Sequence, residues 1–327
     1  KDVDAEYPKT LNVVVNHDMA KELGIDVSSI SDEESKASTQ DDKPISKKDK
    51  GVIKLKVNKS SKKGFSNVVL TAISQGLLWA IMAIGVFITF RILDLADLTA
   101  EGAFPLGAAT TTIMIIRGIN PIFATLGGFV AGMFAGAVSG FMHTKMKIPA
   151  LLTGIITLTG LYSVNLLVLG SANVSLSGHN TLVTMVMGLG LSKLNGVILL
   201  GLIFVSLVVL MLVVLLNTQV GLALRATGDN LAMGEANGIK VDRMKILGYM
   251  ISNGLIALSG ALLAQNNGYA DMNMGTGTIV NGLAAIILAE VIVKYLPLGK
   301  RLWSIVVGAV LYRLVLVIIL AMNVDAQ

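Results

Sequence analysis

Residues 194–216 read LNGVILLGLIFVSLVVLMLVVLL, a run of 23 residues without one charged side chain. A helix needs about 20 apolar residues to cross the roughly 30 Å hydrocarbon core of a bilayer, so this run can span a membrane by itself. The whole chain has the same character, since 54% of its 327 residues are hydrophobic, 14% are charged and the mean hydropathy is +0.73. A soluble domain has about a quarter charged residues, so the composition predicts a membrane protein.

Seven further apolar runs lie on both sides of this segment, separated by short polar hinges. The eight predicted spans are 66–92, 101–117, 121–142, 149–170, 194–216, 244–266, 275–293 and 302–322. Another apolar run, 181–191, is too short to span and predicts a re-entrant or interfacial segment. The sequence therefore predicts an all-α polytopic membrane protein with about eight transmembrane helices, in a membrane domain over residues 65–323.

Charge is concentrated in the first fifth of the chain, where residues 1–63 hold 12 of the 21 acidic and 13 of the 26 basic residues. Residues 31–64 are rich in Ser, Lys and Asp, which predicts a flexible linker because too little apolar surface is available to offset the entropy of ordering. Residues 1–30 combine a β-branched run with a short helical pattern capped by Asp18, so we expect a fragment of a folded domain. The chain begins at Lys1 without an initiating methionine or a signal peptide, as expected for part of a longer precursor.

The sequence has no pattern typical of a catalytic or metal site. It contains no cysteine, and His17, His143 and His179 are far apart with no second ligand nearby, so no metal site is expected. It has no GxxxxGK[ST] motif, and no Ser or His arrangement suited to acyl transfer. The net charge of +5 comes without a basic stripe interleaved with aromatics, which argues against a nucleic-acid partner. We therefore expect a protein that is not an enzyme and binds no cofactor of its own.

The cations after residue 63 lie at the ends of apolar runs. They predict an orientation, because cytoplasmic loops carry an excess of Lys and Arg. If the long polar loop 217–243 is cytoplasmic, alternate loops place the following cations inside: Arg91, Lys145, Lys147, Arg225, Lys240, Arg243, Lys245, Lys294, Lys300 and Arg301. Arg117 and Lys193 are left outside. The N-terminus is then also predicted outside the cell, where its Lys-rich linker departs from the charge rule.

The loop 217–243, NTQVGLALRATGDNLAMGEANGIKVDR, has an organised pattern of glycines and caps. We expect Gly228 to break the preceding helix, the Asp-Asn pair 229–230 to cap a new one and Gly238 to end it. The pattern predicts a short helix over 231–236. A connection that only turns the chain needs fewer residues, so two interpretations stay open: a helix that docks on a cytoplasmic partner, or an ordered loop without such a role.

The stretches GLALRATGDNLAMGEANGI (221–239) and KILGYMISNGLIALSGAL (245–262) resemble the coupling-loop region of the permeases of ATP-binding-cassette importers, in the branched-chain amino acid and ribose group. The residues that match the family pattern are Arg225, Ala226, Gly228, Asp229, Asn230, Gly238 and Ile239. Glu235 departs from it, since the family more often has a small or neutral residue there. By this resemblance, which covers most of residues 66–322, the short helix engages a separate ATP-binding subunit.

A second stretch, DLADLTAEGAFPLG (94–107), resembles the corresponding segment of permeases for tryptophan or related amino acids. The spacing of Asp94, Asp97 and Glu101 predicts one helical face, and Pro105 is expected to break the helix within the bilayer. Carboxylates at such depth are costly unless they face a cavity or a partner. Asp97 and Glu101 are therefore candidate residues of a translocation pathway or of a site for the ammonium group of a substrate, whereas Asp94 is expected in cytoplasmic water. The alternative is that Asp94 and Asp97 both lie in cytoplasmic water near Arg91 and that only Glu101 is buried.

Two asparagines and one glutamate complete the polar residues of interest in the spans. Asn253 and Asn281 either line the same pathway or hydrogen-bond between helices as structural contacts. Glu290 is expected to pair with Lys294, four residues later on its helix.

The resemblance implies a type II-like importer permease fold, a second copy of the chain, and a place in the plasma membrane of a bacterium. It implies that ATP and Mg are used by the partner subunit, and that the solute is an amino acid, with the aromatic type favoured. The stretch NVVVNHDMAKELGIDV (12–27) resembles the C-terminal end of the accompanying substrate-binding proteins, which implies an extracellular binding protein fused through the linker. An ion-coupled secondary transporter or a channel is the alternative class, and a structural membrane scaffold is a third.

Overall fold

The apolar runs form helices in the computed structural model, which describes residues 61–188, 190–292 and 297–321. The α-helices within these residues are α1 (Ser61–Phe87), α2 (Thr99–Ile116), α3 (Pro121–Lys145), α4 (Ala150–Leu169), α5 (Leu182–Met187), α6 (Lys193–Asn217), α7 (Gln219–Asp229), α8 (Leu231–Ala236), α9 (Val241–Asn267), α10 (Thr278–Ile292) and α11 (Leu298–Ala321). A π-helical turn, Ile88–Ile92, extends α1. The predicted fragment 1–30 lies outside the described residues, as does the linker up to residue 60.

Each of the eight predicted spans corresponds to a helix. Those long and apolar enough to cross a membrane, among the described residues, are Val69–Ile92, Pro121–Lys145, Ala150–Leu169, Lys193–Asn217, Val241–Asn267, Met272–Ile292 and Leu298–Ile319. The eighth, α2, falls outside this set and is buried along most of its length. Because other helices enclose α2, it needs less apolar surface than a helix that faces lipid. The prediction of an all-α polytopic membrane protein is confirmed.

Small residues bring the central helices into backbone contact. A Cβ added at Gly107 of α2 would lie 2.0 Å from the carbonyl oxygen of Ala257 in α9, and one added at Gly260 would lie 2.1 Å from that of Phe104. Glycines of α3 approach α9 to similar distances. Such contacts let polar residues on one helix reach the next. Helix α9 is therefore in backbone contact with both α2 and α3.

The outward faces of the surrounding helices are apolar. The most exposed large side chains on them are Phe134 of α3, Leu167 of α4, Leu210 of α6 and Val291 of α10. A soluble protein rarely exposes a continuous apolar surface of this kind. These faces are suited to contact with lipid or with another apolar helix.

Two predictions for the segment 94–107 are wrong. Asp94 has a left-handed backbone with φ of +54°, and α2 begins only at Thr99, so Asp94, Asp97 and Glu101 do not share one helical face. Pro105 does not end the helix, which continues to Ile116. The carbonyl oxygen of Gly102, three residues before the proline, accepts from Nδ2 of Asn165 in α4 at 3.2 Å, which ties α2 to α4 at this point.

A small antiparallel pair, β1 (Asn173–Ser175) and β2 (Tyr269–Asp271), joins the end of α4 to the end of α9. The run 181–191, predicted too short to span, holds the six-residue helix α5, which begins with a capping box at Thr181. The N–H of Leu182 donates to Oε1 of Gln265 at 2.9 Å, which ties α5 to α9. After β2, a 3₁₀ turn, Met272–Gly275, leads into α10.

Candidate functional site

The loop 217–243 contains the predicted short helix. Helix α8 spans Leu231–Ala236, and the side chain of Asn230 caps it by accepting from the N–H of Met233 at 3.0 Å. Gly238 follows with φ of +79°, a backbone conformation that favours glycine. The prediction of a helix over 231–236 that ends at Gly238 is confirmed, and the cap is Asn230 rather than its neighbour.

Gly228 has a different role from the predicted one, because it lies inside α7 and does not break a helix. A Cβ added there would lie 1.7 Å from the carbonyl oxygen of Ile92, at the end of the π-helical turn. One turn earlier on α7, Leu224 is fully buried, and it lies near Gly248 of α9. Helix α7 is therefore held between the end of α1 and the first half of α9.

The predicted coupling residues lie on or beside this anchored segment. Arg225 and Ala226 are half-buried on α7, Ile239 is half-buried after α8, and Asp229, Asn230 and Gly238 are exposed. Neither Arg225 nor Asp229 forms a salt bridge with any described residue. On α8 two apolar side chains face outward, Leu231 with 45% and Met233 with 65% of its surface exposed. The segment thus combines exposed apolar side chains with charged groups that have no salt-bridge partner in the part of the chain that the structure describes.

An ionic cluster follows directly on the end of α1. Glu290 of α10 accepts from Arg91 of the π-helical turn and, at 2.7 Å, from Nη2 of Arg301 in α11. Arg301 also lies over the ring of Phe87, with 5.1 Å between its Cζ and the ring centroid. The expected partner of Glu290, Lys294, lies outside the described residues. The cluster joins α1, α10 and α11 close to the point where α7 meets α1.

Asp97 and Asn253, both predicted on a pathway, contact each other between α2 and α9. Asn253 donates from Nδ2 to Oδ2 of Asp97 at 2.7 Å, and the N–H of Thr99 donates to Oδ1 at 2.9 Å. Both side chains are buried. The carboxyl group of Asp97 therefore binds the first N–H of α2 and ties this helix to α9, which is a structural role. A part for Asp97 and Asn253 in translocation stays a prediction.

We expect Asp97→Asn to lower the thermal stability of the detergent-solubilised chain. The new amide has one acceptor oxygen where the carboxylate has two, so one of the two buried donors loses its partner, at a cost of about 1–3 kcal/mol. The midpoint of a thermal melt should fall by several degrees. Asp94→Asn is the matched control, since Asp94 is exposed and asparagine tolerates its left-handed backbone. Equal midpoints for the two variants would contradict the structural role.

Glu101 lines a cleft of about 380 Å³ together with Tyr162 and Asn165 of α4 and Asn273 of the 3₁₀ turn. Its Oε1 accepts from the N–H of Gly277 at 3.2 Å, just before α10. Of the four predicted pathway residues, Glu101 is the one that borders a cleft with room for a small solute. The structure does not bring it together with Asp97 and Asn253, which pair with each other.

The fourth predicted pathway residue, Asn281 of α10, accepts from the hydroxyl of Tyr312 in α11 at 2.9 Å. It lines a small gap that also borders Trp79 and Arg313. Sequence analysis missed Arg313, although a lone cation inside the apolar run 302–322 was a visible signal. Its environment becomes evident only when α1 and α11 are placed side by side.

The described residues include no group of three or more His, Asp or Glu side chains placed to hold a metal ion. They do contain a half-buried histidine, His143, whose Nδ1 is 2.8 Å from the carbonyl oxygen of Ile148. It therefore has a local hydrogen-bond partner within the turn that joins α3 to α4.

Comparison with known proteins adds independent evidence. The family model described as "Branched-chain amino acid transport system / permease component" matches residues 68–324. The tyrosine transport system permease protein of Clostridioides difficile (strain R20291) is 40% identical over 248 residues, which cover 75% of this chain and 80% of that protein. An uncharacterized protein of Rickettsia prowazekii (strain Madrid E) is 33% identical over 263 residues, which cover 79% of this chain and 91% of that protein.

Two more distant similarities are found as well. The autoinducer 2 import system permease protein LsrC of Salmonella paratyphi B is 27% identical over 220 residues, covering 66% of this chain and 60% of that protein. The fold is also similar to a solved structure described as an inward-facing conformation of a metal-chelate type ABC transporter. The alignment covers 80% of this chain and 78% of that chain, with 18% identity and a TM-score of 0.46. On the family match and the 40% identical relative, this chain belongs to the permease components of the branched-chain amino acid transport systems.

Proposed function

We propose that the chain is the membrane subunit of an ATP-driven bacterial importer for an aromatic amino acid, and that a separate ATP-binding subunit docks on the loop 217–243. The observation that carries the solute class is the 40% identity to a tyrosine transport system permease over most of both chains. In this proposal ATP and Mg are bound by the partner, and this chain supplies the path through the membrane.

The form of the loop supports a docking role. Helix α8 exposes Leu231 and Met233 beside two charges without salt-bridge partners among the described residues, Arg225 and Asp229. An amphipathic helix of this kind is suited to a groove on another protein. Because Gly228 presses α7 against the end of α1, a displacement of the docked segment would be passed to a membrane-spanning helix.

The remaining partners follow from the proposed importer. A second copy of this chain would complete the translocation unit, and a substrate-binding protein would deliver the solute at the outer end. The N-terminal tail is proposed to lie outside the cell and to be the end of such a binding protein. Glu101 is proposed to meet the ammonium group of the solute in the cleft that it lines.

The test is uptake of labelled L-tyrosine into proteoliposomes that contain the full chain and its copurified ATP-binding subunit. We expect uptake to require ATP on the side that holds the loop, and to fall at least about tenfold in Arg225→Ala and Asp229→Ala, since each change removes a charged group from a docking surface. The ATP-binding subunit should also copurify less well with either variant.

Arg117→Ala is the matched control, because Arg117 is exposed and follows the opposite end of α2 from the ionic cluster. Its uptake should equal that of the unchanged chain. Uptake driven by an ion gradient alone, without ATP, would favour the ion-coupled transporter and overturn the proposal. A chain that neither moves solute nor stimulates ATP hydrolysis would point to a scaffold.

A further inference from the structure

Helices α1 and α11 touch closely near their middles, and this contact places a tryptophan beside an arginine. A Cβ added at Gly76 would lie 2.7 Å from Cα of Val310. Three residues later on each helix, Cζ of Arg313 lies 4.7 Å from the centroid of the Trp79 ring. A cation over an indole at this distance is attracted to the ring face. The close helix contact therefore fixes where the guanidinium lies.

The arginine and the tryptophan border a cavity of about 340 Å³. Small-molecule sites range from about 300 to 1,000 Å³, so the cavity is large enough for an amino acid. Its wall includes Phe104, which stacks on Trp79 with 5.4 Å between ring centroids, and Gln75 on α1. Tyr269, at the start of β2, contributes a third aromatic ring. Several rings and one cation thus converge on one space.

Two residues that line the cavity, and that also border the small gap beside Asn281, each have one buried donor. Nε of Arg313 and Nε1 of Trp79 are both buried without a hydrogen-bond partner among the described residues. Nor does Arg313 form a salt bridge there, whereas Arg91 and Arg301 both pair with Glu290. No residue that lines the cavity is acidic. An unpaired cation inside a membrane protein is costly, and an acceptor group on a bound ligand would lower this cost.

The position along α11 favours a solute over a lipid head group. Arg313 is fifteen residues after Leu298, which places it about 22 Å along the helix axis at 1.5 Å per residue. Eight residues separate it from Ala321, so it lies roughly 12 Å from the other end. The cavity reaches from this depth to Asn267, the last residue of α9. A small molecule that enters at the end of α9 can therefore reach the guanidinium.

We propose that Arg313 and Trp79 hold the carboxylate of an aromatic amino acid within the membrane domain, while Phe104 and Tyr269 pack against its ring. The guanidinium can meet a carboxylate with two parallel hydrogen bonds, and the indole N–H adds a third donor. The inference rests on the proposed function for the identity of the solute. It is a binding site in the path, separate from the cleft of Glu101.

The test uses fluorescence of the full chain in detergent. The sequence has two tryptophans, so Trp303→Phe leaves Trp79 as the sole reporter. L-Phenylalanine should change the Trp79 emission saturably, and L-phenylalaninamide, which lacks the carboxylate, should bind at least about tenfold more weakly. Adding Arg313→Gln should weaken the binding of phenylalanine at least about tenfold and leave that of the amide unchanged.

Arg313→Lys keeps the charge without the planar guanidinium, so its affinity for phenylalanine should fall between those of the parent and of Arg313→Gln. If Arg313→Gln does not fold, Arg313→Lys is compared with the parent instead. Arg117→Gln should bind like the parent. The proposal is overturned if the amide binds as tightly as the acid, if Arg313→Gln binds phenylalanine like the parent, or if Trp79 emission does not respond. The measurement needs neither ATP nor a partner, so a failure of the ATP-driven uptake assay would leave its result standing.

Discussion

Gly260→Val is expected to yield no monodisperse protein after detergent extraction. The new Cβ would lie 2.1 Å from the carbonyl oxygen of Phe104, a backbone atom in the first half of α2. To remove this clash, α9 would have to move away from α2. Because α9 also packs on α3, the movement would disturb that contact as well. Overpacking alone costs about 1–3 kcal/mol, and the loss of this close contact adds to it. The measurement is the size-exclusion profile of the extracted chain.

Gly160→Val is the matched control for this prediction. Gly160 lies in α4, and a Cβ added there meets no atom within 4 Å. This variant should elute as the unchanged chain does. A monodisperse profile with an unchanged melting midpoint for Gly260→Val would show that the contact between α2 and α9 is looser than described.

We expect the Gly228→Ala chain to fold. Its ATP-dependent uptake should be at least about tenfold lower than that of the unchanged chain. The methyl group would lie 1.7 Å from the carbonyl oxygen of Ile92, so α7 must move away from the end of α1. Helix α7 lies at the edge of the membrane domain, and the packing of α2, α3 and α9 should survive this shift. The uptake assay and the size-exclusion profile together separate lost coupling from lost folding.

The control is Gly234→Ala in the neighbouring helix α8. A Cβ there would lie 3.6 Å from Val241, an ordinary contact distance, and alanine favours a helix over glycine. We expect uptake within about twofold of the unchanged chain, an effect well below 1.4 kcal/mol. If both alanine variants keep full uptake, the contact of α7 with α1 does not serve coupling.

Gly228 and Arg313 belong to one continuous set of contacts. Helix α8 follows α7, α7 presses on the end of α1 at Ile92, and Arg91 beside it bonds Glu290 of α10. Glu290 in turn bonds Arg301 of α11, the helix that carries Arg313. The proposed docking surface and the proposed carboxylate site are thus joined by contiguous side-chain and helix contacts, and double-mutant cycles along them would measure any coupling energy.

Local features were predictable from the sequence. The helix 231–236 was predicted with its bounds, because an asparagine cap and a glycine with positive φ act on the neighbouring backbone alone. The spans were predicted because hydrophobic length is a property of each run by itself. Gly228 shows where this reasoning ends, since the atom that requires a glycine there belongs to Ile92, far away in the sequence.

Polar side chains in the membrane domain were the hardest to interpret. Asp97 was assigned to a helical face, yet its partner is Asn253, 156 residues later. Glu290 bonds Arg91, which is 199 residues away, so no spacing along its own helix could indicate this contact. Arg313 was passed over, because a lone cation in an apolar run gives no indication of the tryptophan beside it.

The sequence by itself determined that this chain crosses the membrane about eight times and that a short capped helix interrupts the polar loop, because length, apolar composition and caps act within one segment. Only the tertiary structure decided which polar groups meet, which are left without partners and where the cavities lie. The physical reason is that these depend on how each helix is rotated and shifted against its neighbours, which backbone contacts such as Gly107 with Ala257 set across long distances in sequence.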